Sequence, residues 1–202
     1  MIGLIDLGIS NIFSIRNALK FLGYKVRLIN KPNDFNNIKS LILPGVGTFK
    51  EGMVALEKKK LTSSLIERVN KGLPFLGICL GMQMLASYGY ENGETRGLNL
   101  IKGQVKKLNF KKNYPVPNIG WCDVSIKRDS ILFESNKAKS FYFLHSYYFS
   151  CSEKSSIVAT IKFADDNIPV VINKKNIFGI QYHPEKSFEN GIDNLNRFIK
   201  FL

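Results

Sequence analysis

The segment Pro74-Phe75-Leu76-Gly77-Ile78-Cys79-Leu80-Gly81-Met82-Gln83 sets a cysteine between two glycines directly after a short apolar run. Such a segment has few ways to fold. A buried strand ends, the backbone turns sharply, and a helix begins with the cysteine at the bend. A Cβ at either glycine would collide with the neighbouring strand or helix, which is the logic of the G-x-S-x-G elbow with cysteine in place of serine. Free N–H groups and the macrodipole at a helix N-terminus favour a thiolate, so Cys79 is expected to be a nucleophile. The competing reading is a structural core cysteine, the ordinary place of a lone thiol.

The rest of the first half fits such an elbow. Ile2 to Asp6, Lys25 to Ile29, Leu41 to Leu43 and Phe75 to Ile78 read as strands. Asn11 to Leu22, with Ile12, Ile15, Leu19 and Leu22 on one stripe and Gly23 after it, reads as a helix. A long helical pattern from about Thr48 to Asn70 has a break expected near Lys60 and a cap at Gly72, and the helix after Cys79 turns Met82 and Leu85 to the core. Strand–helix alternation predicts a parallel sheet with helices on both faces and a site at the carboxyl ends of the strands.

From Ile101 onward short strand-like runs take over: Gly103 to Leu108, Val124 to Ile126, Phe141 to Leu144, Ser156 to Phe163, Ile168 to Ile172 and Ile177 to Gln181. These are expected to be antiparallel additions to the parallel core, followed by an amphipathic helix from about Ile192 to Leu202 that buries Leu195, Phe198, Ile199 and Leu202. The fold class expected is therefore α/β, flavodoxin-like, with added antiparallel strands in the second half. Without linker, repeat or low-complexity tract, residues 1–202 are expected to form one domain.

Bulk properties narrow the function. Cys79, Cys122 and Cys151 are odd in number and lack metal-ligand spacing, so neither a disulfide framework nor a metal site is expected, and no cofactor motif is present. The apolar start reads as a core strand rather than a leader, and no apolar run approaches membrane-spanning length, so a cytoplasmic protein is expected. The net charge of +13 divides evenly, +6 over residues 1–100 and +7 over residues 101–202. Without a basic stripe or recognition motif it does not point to nucleic acid.

A thiolate nucleophile needs a base and a group to orient it. Only two histidines are present. His183, in His183-Pro184-Glu185, has a carboxylate two residues on that can fix its tautomer; His145, in Leu144-His145-Ser146-Tyr147, has none nearby in sequence. His183 is the favoured base, against the plainer reading of either as a structural histidine. The turn Pro44-Gly45-Val46-Gly47, at the end of a strand expected to lie beside the elbow strand, would aim backbone N–H groups across the site and with the Leu80 N–H hold an oxyanion. A tight structural turn or a phosphate cradle is the alternative, though Walker-type and dinucleotide spacings are absent.

Pro44-Gly45-Val46-Gly47, Gly77 to Gln83, Gly120-Trp121, Tyr142 to Tyr147 and His183-Pro184-Glu185-Lys186-Ser187, in this order, resemble the class I glutamine amidotransferases. Within them they are most similar to the HisH branch, the glutaminase subunits of imidazole glycerol phosphate synthase. The resemblance runs from residue 1 to the final helix. It implies hydrolysis of L-glutamine through a thioester on Cys79, with His183 shuttling protons and Glu185 orienting it. It further implies that Gly45, Val46, Gly47 and Leu80 stabilise the oxyanion and that Gln83, Ser146 and Tyr147 hold the glutamine. Ammonia would pass to a HisF-like (β/α)8 synthase subunit in a heterodimer docked through Asn11, Trp121 and Lys186, and the free subunit would be a poor glutaminase.

Departures from the family pattern fall on the surface expected to face the partner. The first loop reads Ile5-Asp6-Leu7-Gly8-Ile9-Ser10-Asn11, without the usual tyrosine and second glycine. Asn118 stands where histidine is usual, and Cys122 where asparagine is. Three other readings therefore stay open: a paralogous subunit feeding an amino- or amidino-sugar synthase of surface-polysaccharide biosynthesis, a stand-alone cysteine hydrolase, and a non-catalytic binding subunit.

Overall fold

The computed structural model describes residues 1–9, 12–109, 111, 113–133 and 139–200. Its first half alternates as the hydrophobic pattern predicts: β1 (Ile2–Ile5), α1 (Ile12–Phe21), β2 (Val26–Ile29), β3 (Ser40–Gly45), α2 (Phe49–Lys58), α3 (Thr62–Asn70), β4 (Phe75–Cys79) and α4 (Leu80–Gln83). Strands β1, β3 and β4 are buried at every position, which is why they read as unbroken apolar runs. Their side chains alternate between two cores. Ile42, Leu76 and Ile78 pack with Ile15 and Leu19 of α1, whereas Leu41, Leu43 and Phe75 pack with Met53, Leu56, Leu65 and Val69 of α2 and α3. The expected break is at Lys60, with φ 56°, and α2 starts from a capping box in which Thr48 and Glu51 bond each other's backbone N–H.

The second half comprises β5 (Tyr88–Gly89), β6 (Thr95–Arg96), β7 (Gly103–Lys107), β8 (Asn118–Ile126), β9 (Lys139–His145), β10 (Tyr147–Cys151), β11 (Ile157–Phe163), β12 (Asp166–Lys174), β13 (Ile177–Ile180) and α5 (Phe188–Lys200). One nine-stranded sheet has the order β2-β1-β3-β4-β13-β12-β11-β8-β9, and a four-stranded sheet the order β10-β7-β5-β6. Strands β2, β1, β3, β4 and β13 pair parallel; β12, β11, β8 and β9 continue the sheet antiparallel. The expectation for the run at Ile177 needs correction. It is the fifth parallel strand, Ile177 to Ile180 lying against Phe75 to Ile78, and is antiparallel only to β12.

Other boundaries also differ. The strand expected at Val124 begins at Asn118, the closing helix begins at Phe188 rather than near Ile192, and β10 is an additional strand. Leu195, Phe198 and Ile199 are buried as expected, while Leu202 lies outside the described residues. Between β9 and β10 the chain leaves the large sheet for the small one at Ser146, so His145-Ser146-Tyr147 forms the corner between the two sheets. Among the described residues no helix is long and apolar enough to cross a membrane.

Candidate active site

The elbow takes the geometry its glycines demand. Cys79, the last residue of β4, has φ 53° and ψ −110°, a backbone region that residues with a side chain rarely adopt. The one-turn helix α4 follows immediately. A Cβ on Gly77 would lie 2.5 Å from the Gly81 carbonyl oxygen, and one on Gly81 would overlap the Leu43 carbonyl. The strained thiol thus stands at the end of a parallel strand, where only its sulfur side opens to a cavity.

His183 is brought to it by topology. Strand β13 lies beside β4, and the chain leaving Ile180 runs past the elbow. His183 is buried, and Nδ1 lies 3.0 Å from Glu185 Oε1. With Nδ1–H donating to that carboxylate, the other ring nitrogen is left for Cys79, which lines the same cavity as His183. Burial alone would lower the His183 pKa, but the neighbouring Cys79 and the Glu185 carboxylate raise it to about 10. Ser187 secures the turn: its Oγ donates to the His183 carbonyl at 2.6 Å and accepts the Tyr142 N–H at 3.0 Å. Glu185 Oε2 is buried without a partner beside a small void lined by Ile15, Pro44, Gly45 and Val46.

His145 is close by and differently employed. Its Nδ1 lies 2.9 Å from the Tyr147 carbonyl, so it donates there, and its Nε2 accepts from Asn118 Nδ2 at 3.1 Å. Burial, opposed by that carbonyl and reinforced by the charge of His183, pushes His145 down to about 4. It is a neutral structural histidine at neutral pH, with both nitrogens occupied.

A cavity of about 290 Å³ joins the remaining pieces: Val46, Gly47, Cys79, Leu80, Gln83, Glu91, Ser146, Tyr147 and His183 all line it. Gly45 lies behind it, packed against Leu80, so that any Cβ there would touch the Leu80 side chain at 3.0 Å. The register places Gly45 opposite Cys79. Glu91 is a site residue that sequence reasoning missed. Its carboxylate accepts the Phe49 N–H at 2.8 Å and is, among the described residues, the one acidic side chain lining the cavity, suited to a ligand ammonium group.

On the adjoining surface Trp121 is exposed and stacks on Phe188, with centroids 5.3 Å apart at 17°. Trp121 also meets the edge of Tyr142, over which Lys186 Nζ sits at 5.6 Å. Trp121 and Lys186 therefore belong to one patch, to which the structure adds Phe188, 76% exposed and at φ 47°. Asn11, with Ser10, lies outside the described residues.

Comparison with known proteins agrees with this geometry. Residues 3–200 match the family model described as glutamine amidotransferase class-I. The chain is 40% identical over 203 residues to a protein of Caldanaerobacter subterraneus subsp. tengcongensis named imidazole glycerol phosphate synthase subunit HisH, covering 100% of this chain and 98% of that one. A protein of the same name from Leptospira interrogans is 40% identical over 205 residues, covering 98% of each. Among solved structures, PurLQS from Thermotoga maritima has a subunit that superposes with a TM-score of 0.78 at 17% identity, over 99% of this chain and 97% of that one, which speaks to the fold.

Proposed function

The chain belongs to the class I glutamine amidotransferases, and from that premise we propose that it is the glutaminase subunit of imidazole glycerol phosphate synthase. The observation that carries this reading is the Cys79–His183–Glu185 line, set at a strained elbow beside a glutamine-sized cavity. The Cys79 thiolate attacks the side-chain carbonyl carbon of glutamine, and protonated His183 gives its proton to the departing nitrogen. Ammonia leaves and a γ-glutamyl thioester remains. Water, deprotonated by His183, then releases glutamate, while Glu185 holds the ring in the tautomer both steps require.

The far end of the cavity suits the amino-acid head of glutamine. The Glu91 carboxylate faces its ammonium group, Gln83 supplies an acceptor, and the corner at Ser146 and Tyr147 supplies backbone groups. The oxyanion forms near Val46, Gly47 and Leu80. The partner is a synthase subunit that consumes the ammonia, and we assign it as a HisF-like (β/α)8 barrel docking on the patch of Trp121, Phe188 and Lys186.

The test is glutamine hydrolysis and imidazole glycerol phosphate synthesis by the chain alone and with such a barrel subunit. Hydrolysis is expected to rise on complex formation. Cys79→Ala is expected to abolish glutamine-dependent synthesis and spare ammonia-dependent synthesis. Survival of the glutamine-dependent reaction would remove Cys79 from its role, and stimulation by a sugar-modifying synthase instead would change the pathway.

A further inference from the structure

Gln181 is fully buried, carries no charge and directly follows β13, yet its amide is spent on the nucleophile. Ile180 pairs with Ile78, which puts the next residue of the chain, Gln181, beside Cys79. Its backbone is fixed by the Gln181 N–H donating to the Val170 carbonyl at 2.8 Å. The side-chain Nε2 then lies 3.7 Å from Cys79 Sγ, and Oε1 lies 3.1 Å from Gln83 Nε2.

The orientation of these two amides follows from one backbone group. The Tyr147 carbonyl can only accept, so the group 3.0 Å from it on Gln83 must be the NH2. That NH2 has its second hydrogen toward Gln181, which must answer with oxygen. The NH2 of Gln181 is therefore the end that meets the sulfur. His145 Nδ1–H donates to the same Tyr147 carbonyl and strengthens its commitment as an acceptor. With both Nε2 hydrogens of Gln83 engaged, Oε1 is the part of that amide left for a ligand in the cavity.

We propose that Gln181 is a positioning residue: it donates to Cys79 Sγ, holds the sulfur on the cavity side of the elbow, and links it to Gln83 at the substrate end. This rests on the glutaminase reading above. A residue needed only to fill the interior at this point would be apolar, because a buried primary amide is costly unless every polar atom is met. The ionisable groups around the sulfur, among the described residues, are His183, backed by Glu185, then His145 and, across the cavity, Glu91 and Tyr147. Among the described side chains, Gln181 alone gives the sulfur a neutral donor that does not titrate.

The experiment is alkylation by iodoacetamide, followed at each cysteine by mass spectrometry between pH 5 and 9, for the wild type, Gln181→Met and Gln181→Leu. Steady-state glutamine hydrolysis by the synthase complex is measured alongside. Wild-type Cys79 is expected to react ahead of Cys122 and Cys151. Loss of one charge-assisted hydrogen bond to sulfur is expected to slow Cys79 alkylation at pH 7 by about tenfold and to move its pH profile to higher pH. The kcat should fall by about the same factor, with KM within about threefold because Gln83 keeps its bond to Tyr147. An unchanged alkylation profile, or a raised KM with kcat intact, in whichever variant folds would overturn the assignment of Gln181 while leaving the glutaminase reading in place. Failure of wild-type Cys79 to react ahead of the other two cysteines would instead strike at that reading.

Discussion

Acidification offers a sharp test of the corner between the two sheets. His145 is 5% exposed, and burial holds it at about 4 against an ordinary value of 6.5. Below 6.5 the unfolded chain takes up a proton that the folded chain refuses, so the unfolded state binds more protons and stability falls as pH falls. The loss begins near 6.5 and levels off below about 4. At pH 4.5 the unfolded histidine is almost fully protonated and the folded one mostly neutral, a loss of about 2–3 kcal/mol relative to pH 7.5. For a domain of this size that is a fall in Tm of roughly 5–10 °C.

His145→Gln removes the titration but can still donate to the Tyr147 carbonyl and accept from Asn118. Thermal unfolding at pH 7.5 and 4.5 is to be measured for both proteins. Each is compared with itself, so any baseline destabilisation by the substitution drops out, and the carboxylates contribute to both slopes. The variant should lose about 2–3 kcal/mol less than the wild type over this interval. Parallel pH dependences in the two proteins would refute the claim that a neutral buried imidazole occupies the corner.

Other expectations follow from the site. Gly81→Ala drives a methyl into the Leu43 carbonyl, and is expected to cost about 3 kcal/mol in denaturant unfolding and to abolish glutaminase activity. A variant that kept both would contradict the close approach of α4 to β3. Glu91→Gln is expected to raise KM for glutamine by about tenfold or more with a smaller effect on kcat, read from initial rates in the complex. Trp121→Ala and Phe188→Ala are each expected to weaken binding of the synthase subunit by tenfold or more, read by calorimetric titration, with Cys79 alkylation in the free subunit unaffected.

The elbow and the parallel core were legible because local sterics dictate them. Gly77 and Gly81 have no room for a side chain, and β1, β3 and β4 show their two-sided burial as unbroken apolar runs. The placement of the Gly45 turn beside Cys79 was equally readable, since successive strand–helix units lay neighbouring strands side by side. Strand direction was not. The run at Ile177 has the same residue pattern whether its partner runs with it or against it, and its parallel pairing with β4 is decided about a hundred residues away in sequence. Glu91 escaped notice for a related reason: it reaches the cavity from a loop, held by the Phe49 N–H at the start of α2, and no local spacing announces that bond. Gln181 reads as the tail of an apolar strand until Gln83 and Cys79 are seen around it. Phe188 lies just past the His183-Pro184-Glu185 segment, and its exposure depends on how α5 leaves Ser187.

The anchoring of His183 also bears on the order in which the protein comes off the ribosome. Cys79 precedes Gln181 by 102 residues, and the His183 turn is tied down by Tyr182, whose hydroxyl bonds Asn194, and by Gly191, which lets α5 close over Pro184. At about 5–20 residues per second the elbow is made roughly 5–20 s before its base is synthesised, and longer before α5 secures that base. A growing or prematurely ended chain therefore carries the Cys79 thiol without His183 beside it. The proposed Cys79–His183–Glu185 line is assembled only when the last helix is in place.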